Sequence, residues 1–390
     1  MMVGIIGDCH LGASTKAGPK DSVTGISTRL TDYYTTLIWA IDALAPTCKV
    51  LIFTGDIFEH RYPQMIQQQL FSGALRHALN KGIEKIVIIE GNHDQQRTSD
   101  TTTLAYLAEL QLPNIIVAHD PTTLDLDGHK LHFLPYRDRR YYGAATYADA
   151  ITAADAQISA LATSNGTKTN MLVGHMALEG TFFPEEEAEL YTDNELMLPK
   201  SSFARFNLTV MGHVHTPGQI SSNPPIWYVG SLEKRGAFEA HTKRVCAVDL
   251  DARTIDWIDL PCRNFFEYNL VIPKSGVDFS AVVQAGLDKQ IGTDAIKGGI
   301  VKINIKVKAD DIGRYDAEEI RQYLGQRGVF FCLPPVMTIE SERVSRSDIK
   351  EQISDTDTWS QYISNAVSDK TVLAALLEVG NAIIAEEGQK

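Results

Sequence analysis

Five short blocks of this chain carry residue types that bind metal ions. They are Asp8 and His10 in GDCHLG, Asp56 in FTGDIFEH, Asn92 and His93 in EGNHD, His175 in LVGHM, and His213 and His215 in VMGHVH. A glycine precedes the first such residue of every block. That suits a sharp turn and leaves room for an ion and its water. Seven side chains (Asp8, His10, Asp56, Asn92, His175, His213 and His215) exceed the three or four that a single catalytic zinc takes. If one carboxylate bridges, the set supplies four ligands to each of two ions. Two cations roughly 3.5–4 Å apart suit in-line attack on a phosphoester, because they activate a shared water and neutralise the phosphoryl oxygens. The mixture of imidazole, carboxylate and amide oxygen favours Mn²⁺, Fe or Zn²⁺ over copper, with Mg²⁺ also compatible. Taken singly, each block is what an ordinary turn contains; it is the set, in order and at strand ends, that points to a site.

The elements that must position these residues are legible around them. Apolar runs at 3–7, 50–53, 86–89, 115–117, 171–173, 208–211 and 226–229 predict buried strands. Helical spacing at 30–44, 65–79, 102–110 and 147–161 predicts helices between them. Asp127-Gly128 between two alternating runs predicts a two-residue hairpin, and a second hairpin turns around 251–253. The expected class is α/β, with βαβ units and sheet layers covered by helices, and with ligands delivered from the carboxyl ends of strands. Cys9 lies between two ligands and, by strand alternation, is expected to face away from them. The first domain is placed at residues 1–263. From Phe265 the pattern restarts as a smaller α+β capping unit over 264–345, with strands at 267–272, 300–307 and 329–339 and helices at 279–290 and 317–324. Residues 346–390 read as an acidic linker followed by two helices, 358–367 and 370–386, with Ser368 or Asp369 placed to cap the second.

Composition narrows the class further. An apolar fraction of 44% with 22% charged residues excludes a wholly disordered or fibrous chain. No apolar run approaches the ~18 residues of a membrane span, and MMVGIIGDCH has neither the basic start nor the apolar core of an export signal. Five scattered cysteines without a CxxC pair read as reduced cytosolic thiols, not as a disulfide frame or zinc knuckle. A net charge of −13 argues against a general nucleic-acid coat but leaves room for a nuclease that relies on metal ions and local basic patches.

Asp-x-His, Gly-Asp, Gly-Asn-His-Asp, Gly-His and Gly-His-x-His, in that order, resemble the five blocks of the calcineurin-like metallophosphoesterases. DCHLG, GDIFE, the FLPYR run and YVGSLEKRGAFE are similar more closely to the SbcD-type DNA-repair exonucleases, which include the meiotic-recombination nuclease. The resemblance covers about two-thirds of the chain, and it implies a two-sheet sandwich flanked by helices, with the unit over 264–345 as a capping, DNA-binding domain. It implies a manganese pair, the first ion on Asp8, His10 and His215 and the second on Asn92, His175 and His213, with Asp56 bridging. It implies that His93 stays off the metal and faces the scissile phosphate, steadying the transition state or protonating the leaving oxygen, and that Asp94 orients His93. Some members carry a histidine three residues after the bridging aspartate; here that position is Glu59, with His60 next. The resemblance further implies 3′→5′ exonuclease action on duplex DNA and endonuclease action on single strands or hairpins. The implied setting is DNA repair, recombination or replication, within a cytoplasmic, nucleoid-associated complex of a bacterial or phage-infected cell. The implied partners are an SMC-like ABC ATPase of the SbcC type and a second copy of the chain.

Two further features bear on partners. Arg137, Arg139, Arg140 and Tyr141 mix guanidinium and aromatic groups after a strand end, a combination that grips phosphates and stacks on unpaired bases. A solvated loop with packed tyrosines is the alternative. In the tail, Val372, Leu373, Leu376, Leu377, Val379, Ile383 and Ile384 form an apolar stripe suited either to docking on a partner coiled coil, that of the ATPase, or to covering the chain's own domain. Two other functions stay open at this level: a protein phosphatase or nucleotide phosphodiesterase on the same scaffold, and a catalytically silent recruitment scaffold. None of the expected ligands is missing, which weighs against the second.

Overall fold

The computed structural model describes residues 1–95, 102–162, 167–181, 195–272, 279–291, 296–307, 316–339, 359–360, 363–364, 367 and 370–387. Residues Met1–Thr338 form one compact unit and Ile339–Lys390 a second.

The strands run, in chain order, β1 (Met2–Ile6), β2 (Val50–Phe53), β3 (Lys85–Ile89), β4 (Ile115–Ala118), β5 (Thr122–Leu126) and β6 (His129–Leu134). They continue as β7 (Asn170–His175), β8 (Ala177–Leu178), β9 (Met197–Leu198), β10 (Leu208–Gly212), β11 (Gly218–Ser222) and β12 (Pro225–Tyr228). The last six are β13 (Arg244–Asp249), β14 (Thr254–Asp259), β15 (Phe265–Val271), β16 (Ile300–Val307), β17 (Phe331–Cys332) and β18 (Val336–Ile339). The helices are α1 (Thr28–Leu44), α2 (Met65–Asn80), α3 (Ala105–Glu109), α4 (Tyr147–Leu161), α5 (Phe279–Gln290), α6 (Ala317–Gln326) and α7 (Lys370–Glu387).

Two six-stranded sheets dominate, ordered β14-β13-β1-β2-β3-β4 and β11-β12-β10-β7-β6-β5. Period-two alternation explains why both faces of the first sheet are apolar. Val3, Ile5, Val50, Ile52, Val87 and Ile89 face the second sheet, where they meet Leu131, Phe133, Met171, Val173 and Val210. Their neighbours Ile6, Leu51, Phe53, Ile86 and Ile88 face outward onto Leu37, Ile41 and Leu44 of α1 and Phe71 and Leu75 of α2. Cys9 joins that outer layer, away from its acidic and imidazole neighbours, as alternation predicts. On the far side, Leu134, Leu172 and Met211 of the second sheet pack against Ala150, Ala154 and Ile158 of α4. The result is a helix–sheet–sheet–helix sandwich.

β1 to β4 are mutually parallel, as are β6, β7, β10 and β12. Their carboxyl ends therefore emerge together. The Asp127-Gly128 turn takes positive φ at both residues, as the hairpin reading requires. The pattern from Phe265 builds a separate four-stranded sheet of β15 to β18. Ile303, Ile305 and Val307 of that sheet bury against Val283 and Leu287 of α5 and Ile320 and Leu324 of α6. This layer belongs to the same compact unit as the sandwich, so that unit continues past residue 263 to 338. Pro334-Pro335 splits the expected strand over 329–339 into β17 and β18.

In the second unit, α7 presents Val372, Leu376, Val379 and Ile383 on one exposed face. The acidic linker and the Ser368–Asp369 cap lie outside the described residues, and so does part of the helix expected over 358–367. No helix among the described residues is long and apolar enough to cross a membrane.

Candidate metal centre

The loops leaving β1 and β2 are stitched together by His10 N–H donating to the Asp56 carbonyl at 2.8 Å and Leu11 N–H donating to the Ile57 carbonyl at 2.9 Å. Three non-glycine residues of the expected ligand set, His10, Asp56 and His213, sit at φ of 43°, 47° and 86°. Such backbone is costly for an L-residue and persists only where surroundings enforce it, most often at functional sites. Two glycines make the close packing feasible. A Cβ at Gly91 would lie 2.1 Å from Asp56 Oδ1, and one at Gly212 would lie 2.5 Å from Asp8 Oδ1.

All seven expected ligand side chains converge. Asp8, His10 and His215 form one group, Asp56, His175 and His213 another, and His10, Asp56 and His93 a third that brings His93 within reach of the same centre, each with its donor atoms within 4.8 Å of one another. In the first group His10 Nε2 and His215 Nε2 are 3.0 Å apart, and Asp8 Oδ2 is 3.8 Å from His215 Nε2. In the second, Asn92 Oδ1, His175 Nε2 and His213 Nδ1 form a triangle with sides of 3.1, 3.1 and 3.2 Å. Asp56 lies between. Its Oδ1 accepts from His93 N–H at 2.8 Å, while Oδ2 is 3.6 Å from His10 Nε2 and 3.4 Å from His175 Nε2.

The donor chemistry fits cations. The Nδ1–H of His175 donates to the Thr54 carbonyl at 2.8 Å, so a neutral ring carries only a lone pair at Nε2. That lone pair faces the oxygen of Asn92, itself an acceptor, at 3.1 Å. Hydrogen bonding fills the triangle only if one proton is shared between two acceptors, whereas one cation takes a lone pair from all three corners. The electrostatics agree. Burial disfavours charge on His175, yet Asp56 and Asp8 outweigh it and raise its pKa to about 9. Burial likewise pushes the Asp56 carboxyl up, but His175 and His93 hold it well below the ordinary carboxylate range. The pocket thus favours positive charge, and a metal held there would compete with protons for the same nitrogens.

His93 is half-buried at the rim. Its Nδ1–H donates to the Glu59 carbonyl at 2.6 Å, and its ring packs edge-on against His10 at 4.9 Å between centroids. The expected role of Asp94 in orienting His93 is corrected by this geometry. The Asp94 carboxylate accepts instead from the N–H groups of Gly91 at 3.0 Å and Ile57 at 3.1 Å. It braces the loops around Asp56, with its pKa raised to about 8 by burial and by Asp56.

Two carboxylates absent from the strand-end pattern also enter the site. Glu59 Oε2 lies 2.9 Å from His10 Nδ1, although without the alignment of a hydrogen bond. Burial raises the Glu59 pKa, but the pull of His10 prevails and holds it at about 2. Glu195 Oε1 stands 3.2 Å from His213 Nε2, again unaligned, while its other oxygen accepts from Tyr136 O–H at 2.7 Å. His60, next to Glu59, is exposed.

The basic loop after β6 divides. Arg137 is buried and spent on the Tyr136 and His119 carbonyls and Asp120, with its guanidinium 4.2 Å from the Tyr141 ring. This residue shapes the loop, in contrast to the surface role that its sequence neighbourhood suggests. Arg140 is exposed and paired with Asp138, Arg139 is half-buried, and Tyr141 is 48% exposed.

Comparison with known proteins sharpens the assignment. The SbcD component of nuclease SbcCD from Staphylococcus epidermidis is 26% identical over 196 residues, 47% of this chain and 50% of that protein. Its counterpart from Staphylococcus saprophyticus is 25% identical over 191 residues, with the same shares. The chain thus matches about half the length of these relatives. A dimetal phosphatase from Danio rerio aligns over 67% of this chain and 96% of its own, with a TM-score of 0.40 and 10% identity. The sequence pattern of the calcineurin-like phosphoesterases spans residues 1–217, which hold all five ligand blocks, and the chain belongs to that family.

Proposed function

We propose that this chain is a two-metal-ion DNA phosphodiesterase, a Mn²⁺-dependent exonuclease and endonuclease that works with an ABC ATPase in DNA repair or recombination. The observation that carries the reading is the position of Asp56 Oδ2, within 3.6 Å of His10 Nε2 and 3.4 Å of His175 Nε2, where one oxygen reaches both groups. Asp8, His10 and His215 would hold one ion and Asn92, His175 and His213 the other. Two cations supply Lewis-acid charge that activates a water and neutralises the phosphate oxygens.

The remaining work falls to protein groups. Asp56 Oδ1 is committed to the His93 N–H, which fixes the carboxylate's rotation and turns Oδ2 toward His10 and His175. The Glu59 carbonyl takes the Nδ1–H of His93, so Nε2 is the nitrogen that faces substrate. A protonated Nε2 gives its proton to the departing sugar oxygen as the P–O bond breaks. Arg139, Arg140 and Tyr141, on the loop after β6, are the groups proposed to meet DNA. The names of the staphylococcal relatives support a nuclease component, and the apolar face of α7 is the proposed seat for the ATPase partner. A dimer through the sandwich unit completes the proposed assembly.

Digestion of end-labelled duplex and hairpin DNA with Mn²⁺, with and without the ATPase, tests the reading. A phosphopeptide and a cyclic nucleotide serve as competing substrates. Metal-dependent shortening of the DNA is expected. Turnover of only the small substrates would replace the nuclease reading with a phosphatase or phosphodiesterase one.

A further inference from the structure

The segment after β12, ending in Arg235-Gly236-Ala237-Phe238-Glu239, places a charged pair behind His215. Glu239 and Lys243 are 2% and 0% exposed, and Lys243 Nζ is 2.7 Å from Glu239 Oε2. The pair is directed at one residue from two sides. Glu239 Oε1 accepts from His215 Nδ1 at 3.2 Å, and Lys243 Nζ donates to the His215 carbonyl at 3.0 Å. Further contacts hold the clamp itself. Arg235 N–H donates to Glu239 Oε2 at 3.1 Å, and Lys243 Nζ donates to Ser231 Oγ at 2.7 Å. His241 Nε2 reaches the same His215 carbonyl at 3.0 Å.

Burying two charges costs several kcal/mol of hydration per ion, and replacing such a pair by apolar residues is often neutral or stabilising. Stability alone is therefore a weak reason for this pair to exist. Its geometry supplies another. An ionised carboxylate can only accept, so the shared proton sits on His215 Nδ1 and the lone pair on Nε2. That nitrogen faces His10 Nε2 at 3.0 Å, on the side of Asp8. The geometry points to Glu239, braced by Lys243, as the positioning residue that sets the tautomer and ring angle of His215 for the first metal seat. Carboxylate partners of ligating histidines are worth 10–100-fold in metal affinity. This inference rests on the two-ion reading and names a component of it that lies outside the seven ligands.

Titration calorimetry of the full chain with Mn²⁺ tests it, using two double variants that both remove the buried charges. Glu239→Gln with Lys243→Met keeps an acceptor oxygen on His215; Glu239→Leu with Lys243→Met does not. The expected result is that the Leu/Met protein binds one of its two ions roughly 10–100-fold more weakly, and that the Gln/Met protein recovers most of the loss. Wild-type affinity for both ions in the Leu/Met protein would overturn the inference. So would an equal loss at both seats, because a contact on His215 alone does not reach the second. A wild-type chain that takes up no Mn²⁺ would instead sink the two-ion reading. Should the Leu/Met protein not fold, ¹⁵N NMR of the metal-free wild-type chain decides. A proton on His215 Nδ1 upholds the inference, and a proton on Nε2 with Nδ1 bare overturns it.

Discussion

His93 is half-buried where His10, His175, His213 and His215 are buried, and, like that of His175, its Nδ1 is engaged by a main-chain carbonyl. Replacing it with asparagine removes a proton donor without touching any of the seven proposed ligands. The variant is expected to bind both ions with wild-type stoichiometry and to lose roughly 10²–10⁴-fold in kcat on labelled duplex. Unchanged turnover would remove His93 from the chemistry. A second histidine shows the opposite use of the same side chain. His132, inside the second sheet, bonds Asn170 Oδ1 through Nε2 and Thr123 Oγ1 through Nδ1 at 2.8 Å. Burial lowers its pKa, partly offset by the Asn170 bond. A base with a lowered folded pKa favours its neutral form in the fold. Its contribution to stability is therefore complete above the unfolded value near 6.5 and is lost as pH falls through the folded value. Between pH 8 and pH 5 the wild type should lose stability faster than His132→Gln, as read by denaturant midpoints. Parallel curves would show that His132 does not titrate on unfolding.

At the level of elements, the strand ends do the positioning, and the tight places are where backbone meets carboxylate. An alanine methyl at Gly212 would lie 2.4 Å from Thr54 Oγ1 and 2.5 Å from Asp8 Oδ1, whereas one at Gly218 in β11 meets nothing within 4 Å. Gly212→Ala is expected to cost about 1–3 kcal/mol of stability and to weaken Mn²⁺ binding by displacing Asp8. Gly218→Ala should bind metal like the wild type. Equal behaviour of the two in calorimetry and thermal melts would contradict the packing argument. The same strand ends explain what the sequence made legible. Apolar runs followed by Gly-Asp or Gly-His are local signals; the parallel order of β1 to β3 carries the first kind to one edge of its sheet, and the parallel pairing of β7 and β10 does the same for the second. Glu59 and Glu239 lie within runs that the sequence singled out, GDIFE and YVGSLEKRGAFE, but neither they nor Glu195 follows a strand end. Their meeting with His10, His215 and His213 depends on packing of distant segments. Arg137 misled for a related reason. A basic, aromatic stretch reads as surface, but its guanidinium turns inward onto carbonyls that the fold brings beneath it.

For the whole molecule, the sandwich and the β15–β18 layer fold as one compact unit to Thr338 although their cores are distinct. The change of pattern at Phe265 is visible in the sequence and coincides with the start of β15 and of the separate sheet. A chain carrying a net charge of −13 gathers four imidazoles, two carboxylates and an amide into a space a few ångströms across. Divalent cations would offset both that local excess of lone pairs and the carboxylate charge. Diffraction at the manganese absorption edge, from crystals grown with saturating MnCl₂, tests this most directly. The account predicts two anomalous peaks roughly 3.5–4 Å apart, one among Asp8, His10 and His215 and the other among Asn92, His175 and His213, with Asp56 reaching both. A single peak, or none within reach of these side chains, would contradict it.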